Sequence, residues 1–337
     1  MSAFTTFNGF NAGVGVLPLV AVYNEVFGGV KSRVFHSDDD GATWTESSTV
    51  NAVELSRCQF GNGVFMIWDI SDGTKNVETS SDDGVTWVTQ GAPGSGNQIT
   101  DMVFVGGAWV GALVNGDVIR STDNGANWSS AVATTLSTSQ SPNLGSDGST
   151  IVAADFNGGS PEISRSTDAG ATWNAVASVP ASSDSSFSDS IIGNNNSFVM
   201  THDAANGDCI QSADGGVTWT VRNVTSSFGS FRSFNALDSG FLFMSGSKSS
   251  ANFSSPLGVS WSSEGTTGVD PDQQRSVGTY SNKTFVIGNS GTSNGDVAIS
   301  TDNAGTWSNV VIWTIPGGET WVGQSICAKT SNKVKQD

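Results

Sequence analysis

Basic residues are scarce in this chain. Of 337 residues, 14 are Lys or Arg against 31 Asp or Glu, a formal net charge of -17. The densest basic group is Lys329, Lys333 and Lys335 near the C-terminus. Nucleic-acid binding rests on clustered Lys and Arg that displace counterions from phosphates, so this balance excludes it. Charged residues of either sign make up only 13%, about half the usual quarter of a soluble domain. Long apolar runs are missing as well: none approaches the roughly 18 residues that cross a bilayer as a helix. The opening MSAFTTFNGF has no basic stretch followed by a long apolar one, so neither a signal peptide nor membrane insertion is expected. Cys58, Cys209 and Cys327 are odd in number and lack paired spacing, and there are two His. That excludes a disulfide framework and a Cys/His zinc cluster, and leaves three small buried thiols as the expectation. Pro (8) and Tyr (2) are also few. What is present is Gly (41), serine in still greater number, and a hydrophobic fraction of 36%, enough to form a core.

One octet recurs along the chain. It reads SDDDGATW ending at Trp44, SSDDGVTW at Trp87, STDNGANW at Trp128, STDAGATW at Trp173, SADGGVTW at Trp219 and STDNAGTW at Trp307, with a worn copy, SSPLGVSW, at Trp261. Successive tryptophans are 43, 41, 45, 46, 42 and 46 residues apart. Seven copies at this period signal a repeat architecture. Within each unit a Gly/Asn/Asp turn precedes a short apolar run, for example Gly61-Asn62-Gly63 before VFMIW and Gly106-Gly107 before AWVGAL. A second turn follows, often Asn-Gly-Asp (115–117, 206–208, 294–296), then a short strand into the octet and another after its Trp. Four short strands per unit, seven times over, predict an all-β, seven-bladed β-propeller with four-stranded antiparallel blades, a single domain over 1–337. ETWVGQSICAKTSNK (319–333) repeats the pattern of an innermost strand and its turn, whereas LPLVAV (17–22) reads as a second strand. The C-terminal strand is therefore expected to complete blade 1 and remove an open edge, with FTTFNGF (4–10) as the rival.

Physically, Ser-x-Asp-x-Gly-x-Thr-Trp is a self-fastened hairpin turn. Asp and Ser accept hydrogen bonds from turn N–H groups, Gly takes a φ > 0 position, and Trp buries its ring while its N–H finds a carbonyl. The octet resembles the Asp box, or BNR repeat, of sialidase-like propellers, and the resemblance spans about residues 1–333. It implies that the octets join the third and fourth strands of each blade, on the face opposite the one used for active sites. Asp39, Asp82, Asp123, Asp168, Asp214 and Asp302 are then structural. Pro256 stands where blade 6 should have its Asp, and in blade 7 Gly305 comes one place late, so looser turns are expected there. SDDDG also looks like the start of a calcium loop, but the Glu near its twelfth position is absent from every copy. No metal or other cofactor is expected.

The resemblance raises sialidase activity, which in that family needs an arginine trio, a Tyr nucleophile paired with Glu, an Asp acid and a Phe/Tyr-Arg-Ile-Pro motif, usually on six blades. That motif is absent here, and Tyr23 and Tyr280 lack a Glu in a matching position. Related glycosidases place two Asp across a cleft between two propellers, which one propeller cannot form. No nucleophile motif adjoins His36 or His202. A non-enzyme is therefore expected. Arg57, Arg232 and Arg275 each lie at or near the start of an innermost strand, in blades 2, 6 and 7, and are the candidate ligand-binding residues. The reading is a non-catalytic propeller for attachment or assembly: a decoration, tail or receptor-binding component of a bacteriophage virion, sited on the virion or an extracellular surface. Its expected partners are other virion or surface proteins or a cell-surface glycan. The alternative is an Asp-box propeller that binds or hydrolyses acidic glycans. A third, an assembly factor of the photosystem II type, would carry a targeting segment, and none is seen.

Overall fold

A computed structural model describes residues 16–25, 32–48, 50, 55–69, 77–92, 97–136, 142–157, 160–177, 179–180, 191–201, 208–223, 231–237, 240–245, 250–254, 261–266, 276–280, 283–289, 294–302, 304–315 and 321–329. Among them every regular element is a strand. The chain opens with β1 (Leu19–Glu25), β2 (Ser32–Ser37) and β3 (Thr45–Glu46). Six units of four strands follow. They are β4 (Leu55–Gly61), β5 (Val64–Asp69), β6 (Glu78–Ser80) and β7 (Val88–Thr89); then β8 (Ile99–Val105), β9 (Ala108–Leu113), β10 (Asp117–Ser121) and β11 (Val132–Ala133); then β12 (Asn143–Ser146), β13 (Ile151–Asn157), β14 (Ser160–Ser166) and β15 (Asn174–Ala175). The last three are β16 (Ile191–Asn194), β17 (Ser197–Thr201), β18 (Asp208–Ser212) and β19 (Thr220–Asn223); β20 (Phe231–Leu237), β21 (Gly240–Ser245), β22 (Ser250–Ser254) and β23 (Trp261–Thr266); and β24 (Ser276–Tyr280), β25 (Lys283–Asn289), β26 (Asn294–Ser300) and β27 (Ser308–Thr314). β28 (Trp321–Ala328) comes last.

These strands form seven four-stranded antiparallel sheets, six of them consecutive in the chain and the seventh ordered β28-β1-β2-β3. The first strands of the sheets touch one another in the cycle β28, β4, β8, β12, β16, β20, β24 and back to β28. That cycle is the inner ring of a seven-bladed β-propeller. The C-terminal strand completes blade 1: β28 pairs with β1 from Leu19↔Ala328 to Glu25↔Trp321, with one irregularity at Val22/Tyr23. Lys329 N–H extends the pairing to Pro18 O at 2.9 Å. The rival segment 4–10 lies outside the described residues.

Burial explains the sequence pattern. Second strands are mostly apolar because both faces of a blade pack against neighbouring blades: every residue of β5 (VFMIWD) and β9 (AWVGAL) is buried. The core consequently lies between blades. One cluster joins Leu19, Tyr23 and Trp321 to Phe285, Ile287 and Val297 of blade 7. The next joins Val20 and Cys327 to Leu55, Phe65 and Trp87 of blade 2. Three of the fourth strands, β3, β7 and β15, are two exposed residues each, which leaves little free edge there for another chain to extend.

Candidate functional site

In an antiparallel blade the turn between strands 1 and 2 and the turn between strands 3 and 4 lie on one face. The turns between strands 2 and 3, and the links from blade to blade, lie on the other. Each octet joins strands 3 and 4, so the octets share the first face.

There the turns are built alike. At Asp168, Oδ1 accepts Ser166 Oγ–H at 2.8 Å and Thr172 N–H at 2.9 Å, while Oδ2 accepts Thr172 Oγ1–H at 2.6 Å. Ser166 Oγ accepts Gly170 N–H at 2.9 Å, and Trp173 Nε1–H donates to Gly170 O at 3.1 Å. The same carboxylate bonds recur at Asp39, Asp82, Asp214 and Asp302, and at Asp123 with Asn127 in place of Thr. The hydrogen bonds from Thr172 hold the Asp168 carboxyl at about 2, and those from Thr306 hold Asp302 at about 2. The bond from Asn127 lowers Asp123. At Asp39, Asp82 and Asp214 burial is the largest single influence and pushes upward, but the donated hydrogen bonds together outweigh it and the carboxyls end below their usual value.

The blade 7 turn departs from expectation. Its late glycine was expected to loosen it, yet Ala304 occupies the left-handed position at φ 71°, where the other octets carry glycine. Ala304 N–H reaches Ser300 Oγ at 2.9 Å, and Trp307 Nε1–H reaches Ala304 O at 3.0 Å. The fastening is retained at the cost of a strained alanine. Pro256 of blade 6 lies outside the described residues.

The octet face is also stitched from blade to blade. Lys283, at the start of β25, pairs with Asp40 of the blade 1 octet at 2.6 Å, and Lys329 pairs with Asp83 of the blade 2 octet at 2.6 Å. Asn62 Nδ2–H donates to Asn124 Oδ1 at 2.9 Å. Arg120 and Arg165, each immediately before an octet serine, donate Nε–H to Ala169 O at 2.7 Å and Gly215 O at 2.5 Å of the next blade. The sequence reading missed these two arginines, although their fixed offset from the octet is visible in it.

The opposite face holds a second cluster that the sequence reading missed. The Arg33 guanidinium lies 4.2 Å from the Trp313 ring centroid, with Phe35 at 5.4 Å and Trp321 at 6.0 Å. Glu46 accepts its Nε–H at 2.7 Å and an Nη2–H in a two-pronged pair. Trp313 meets Trp321 edge-on at 5.3 Å and Phe35 in a stack at 5.8 Å. The residues come from β2, β3, β27 and β28, so the cluster spans the seam between blades 7 and 1.

Of the three arginines singled out in the sequence, Arg57 lies half-buried in β4, opposite Trp68, and Arg232 lies in β20. β24 and β28 separate these strands in the inner ring, so the two are not on neighbouring blades. Arg275 falls outside the described residues. Tyr23 is fully buried, donates its hydroxyl to Asp296 O at 3.1 Å, and is pushed well above the ordinary phenol value by burial and then by Asp296. It is no nucleophile. Burial lowers His36 despite the opposing pull of Asp38 and Asp82; its neighbour Ser47, 3.4 Å from Nδ1, donates its hydroxyl to Gly84 O. Among the described residues no group of three or more His, Cys, Asp or Glu is arranged to hold a metal ion. No described helix is long and apolar enough to cross a membrane.

No family model matches the chain, and no curated protein matches it. Solved structures do. YCF48 bound to D1 peptide superposes with a TM-score of 0.56 at 14% identity, covering 81% of this chain and 91% of that one. YCF48 from Cyanidioschyzon merolae gives 0.53 at 15% identity, covering 76% and 84%. The shared feature is the fold. This chain is a β-propeller. At such identities the propeller carries no partner or activity with it.

Proposed function

We propose that the chain is a non-catalytic propeller of the Asp-box type, one domain over residues 1–337, that serves attachment or assembly and meets its partner through the face opposite the octets. The observation that carries this reading is the contrast between the two faces. On the octet face the turns between first and second strands are short, two residues at 62–63 and 106–107, the described octet links are closed by their own hydrogen bonds, and both are tied blade to blade by the lysine, arginine and asparagine bonds described above. On the other face, connections of seven to fifteen residues, 70–77, 134–142, 176–190, 224–230 and 267–275, join the strands, the longest being 176–190. A rigid ring that presents long loops from one side is a binding surface by construction. The similar structure of YCF48, bound to a D1 peptide, supports a protein partner for a propeller of this shape.

The setting we propose is the outside of a bacteriophage virion, in a decoration, tail or receptor-binding role. The low charged fraction and the wealth of Ser, Gly, Thr and Asn support it. Density-gradient purification of particles from a producing culture tests it: the chain should band with the particles after a high-salt wash, and recovery solely in the soluble fraction contradicts it. The placement of Arg57 and Arg232 on inner strands favours a second reading, weak binding of acidic glycans with Arg275 as a third partner. A glycan array comparing the wild type with the Arg57→Ala, Arg232→Ala, Arg275→Ala variant tests this second reading: arginine-dependent binding of sialylated or sulfated glycans supports it, and binding that survives the triple change removes the arginines from the site. Turnover of a fluorogenic sialoside would overturn the non-catalytic reading itself.

A further inference from the structure

The three thiols are widely spaced in the chain, yet the ring brings two of them together. Cys327 lies in β28, the strand that closes blade 1, and Cys58 lies in β4, the inner strand of blade 2. These strands are neighbours in the inner ring, and both side chains belong to the cluster between blades 1 and 2, each 9% exposed. Cys58 Sγ lies 3.8 Å from the carbonyl oxygen of Val20, the residue paired directly opposite Cys327. Cys58 N–H donates to the hydroxyl of Ser325, two residues before Cys327 on the same strand, at 3.1 Å. Cys209 sits in β18 of blade 5, away from both.

We propose that Cys58 and Cys327 are a redox latch: a low-molecular-weight disulfide oxidises them to an intramolecular disulfide that bonds blade 1 to blade 2 and pins the closing strand. Hydrogen bonds to β1 hold β28 along one edge; the new bond holds it from the other side. In the first step the Cys58 thiolate attacks one sulfur of the small disulfide, and the departing thiolate takes up a proton. The Cys327 thiolate then attacks Cys58 Sγ, the mixed disulfide breaks, and the second small thiol leaves with a proton. Two protein thiols are oxidised, one small disulfide is reduced to two thiols, and nothing else is consumed. Burial pushes the Cys327 thiol well above its usual value, and its contact with the Cys58 thiol adds to the rise. The latch should therefore set faster at alkaline pH. The geometry is independent of any partner the propeller binds.

The test is to incubate the purified full-length chain with 2-hydroxyethyl disulfide, block the remaining thiols with a maleimide after denaturation, and map the peptides by mass spectrometry. Wild type should pass from three blockable thiols to one, on Cys209, with a Cys58–Cys327 cross-linked peptide. Its thermal midpoint should rise by about 5–10 °C, as expected for a bond closing so long a loop, and return after reduction. Cys209→Ser should behave likewise, while Cys327→Ser should show no shift. If Cys327→Ser does not fold, the reversible shift of the wild type decides alone. Three thiols surviving oxidation, a cross-link through Cys209, or a Cys58–Cys327 bond that leaves the midpoint unchanged would each overturn the proposal.

Discussion

Asp168 shows how one side chain fixes a turn. Its two oxygens take three hydrogen bonds from Ser166 and Thr172, so Asp168→Ala strands those donors at the surface of the turn. Because water reaches the site, the expected loss is about 1–2 kcal/mol of unfolding free energy, at the low end for charged hydrogen bonds, measurable by urea denaturation. Ala304 makes the converse case. It holds φ 71° while fully buried, and a left-handed alanine costs roughly 1–2 kcal/mol against the roughly 0.8 kcal/mol its buried methyl contributes. Ala304→Gly should therefore raise stability by up to about 1 kcal/mol in the same assay. The octet Asp and Trp were legible in the sequence because their hydrogen-bond partners lie within the octet, apart from Trp128, whose Nε1–H donates to Gly91 O at 3.3 Å. The spacing of Gly305 misled because the residue's identity was read in place of its backbone position; Ala304 simply bears the strain.

At the scale of the strand, the inner-strand character of 321–328 was legible, since it repeats the pattern of the six other first strands. The seam it makes with blade 7 was not. Arg33, Glu46, Trp313 and Trp321 come from four strands at both ends of the chain, and nothing local marks them as neighbours until the ring closes. The same is true of Cys58 and Cys327, whereas Arg120 and Arg165 share an offset from their octets and were legible in principle. Gly295 shows how close the seam is packed: a Cβ there would come within 2.4 Å of Trp313 Nε1 and 3.2 Å of Tyr23 Cε1. Gly295→Ala should cost about 1–3 kcal/mol through displaced rings. It should also change the tryptophan fluorescence of the folded protein, and an unaltered spectrum with unaltered stability would contradict the packing described for blades 7 and 1.

For the whole molecule the octets act together in acid. Their carboxyls sit below the ordinary 3.8 in the folded ring, about 2 at Asp168 and Asp302, and near 3.8 once unfolded. Between those values the unfolded chain binds more protons, so the stability the octets supply is fully present above about pH 4 and drains away as pH falls toward 2. The net charge of -17 acts in the opposite direction between pH 7 and 5, where partial neutralisation relieves self-repulsion. Thermal midpoints should accordingly be level or slightly higher at pH 5 than at pH 7, and should drop steeply from pH 4 to pH 2; a flat profile down to pH 2 would mean that the octets fasten nothing. The central claim, that this ring attaches by the face opposite its octets, meets its most direct test in amine cross-linking of intact particles followed by mass spectrometry. Lys31, Lys75 and Lys248 fall, in the sequence, between second and third strands, outside the described residues, whereas Lys283 and Lys329 lie on the octet face. The account predicts links from Lys31, Lys75 or Lys248 to another particle protein, and links to partners through Lys283 or Lys329 alone would contradict it.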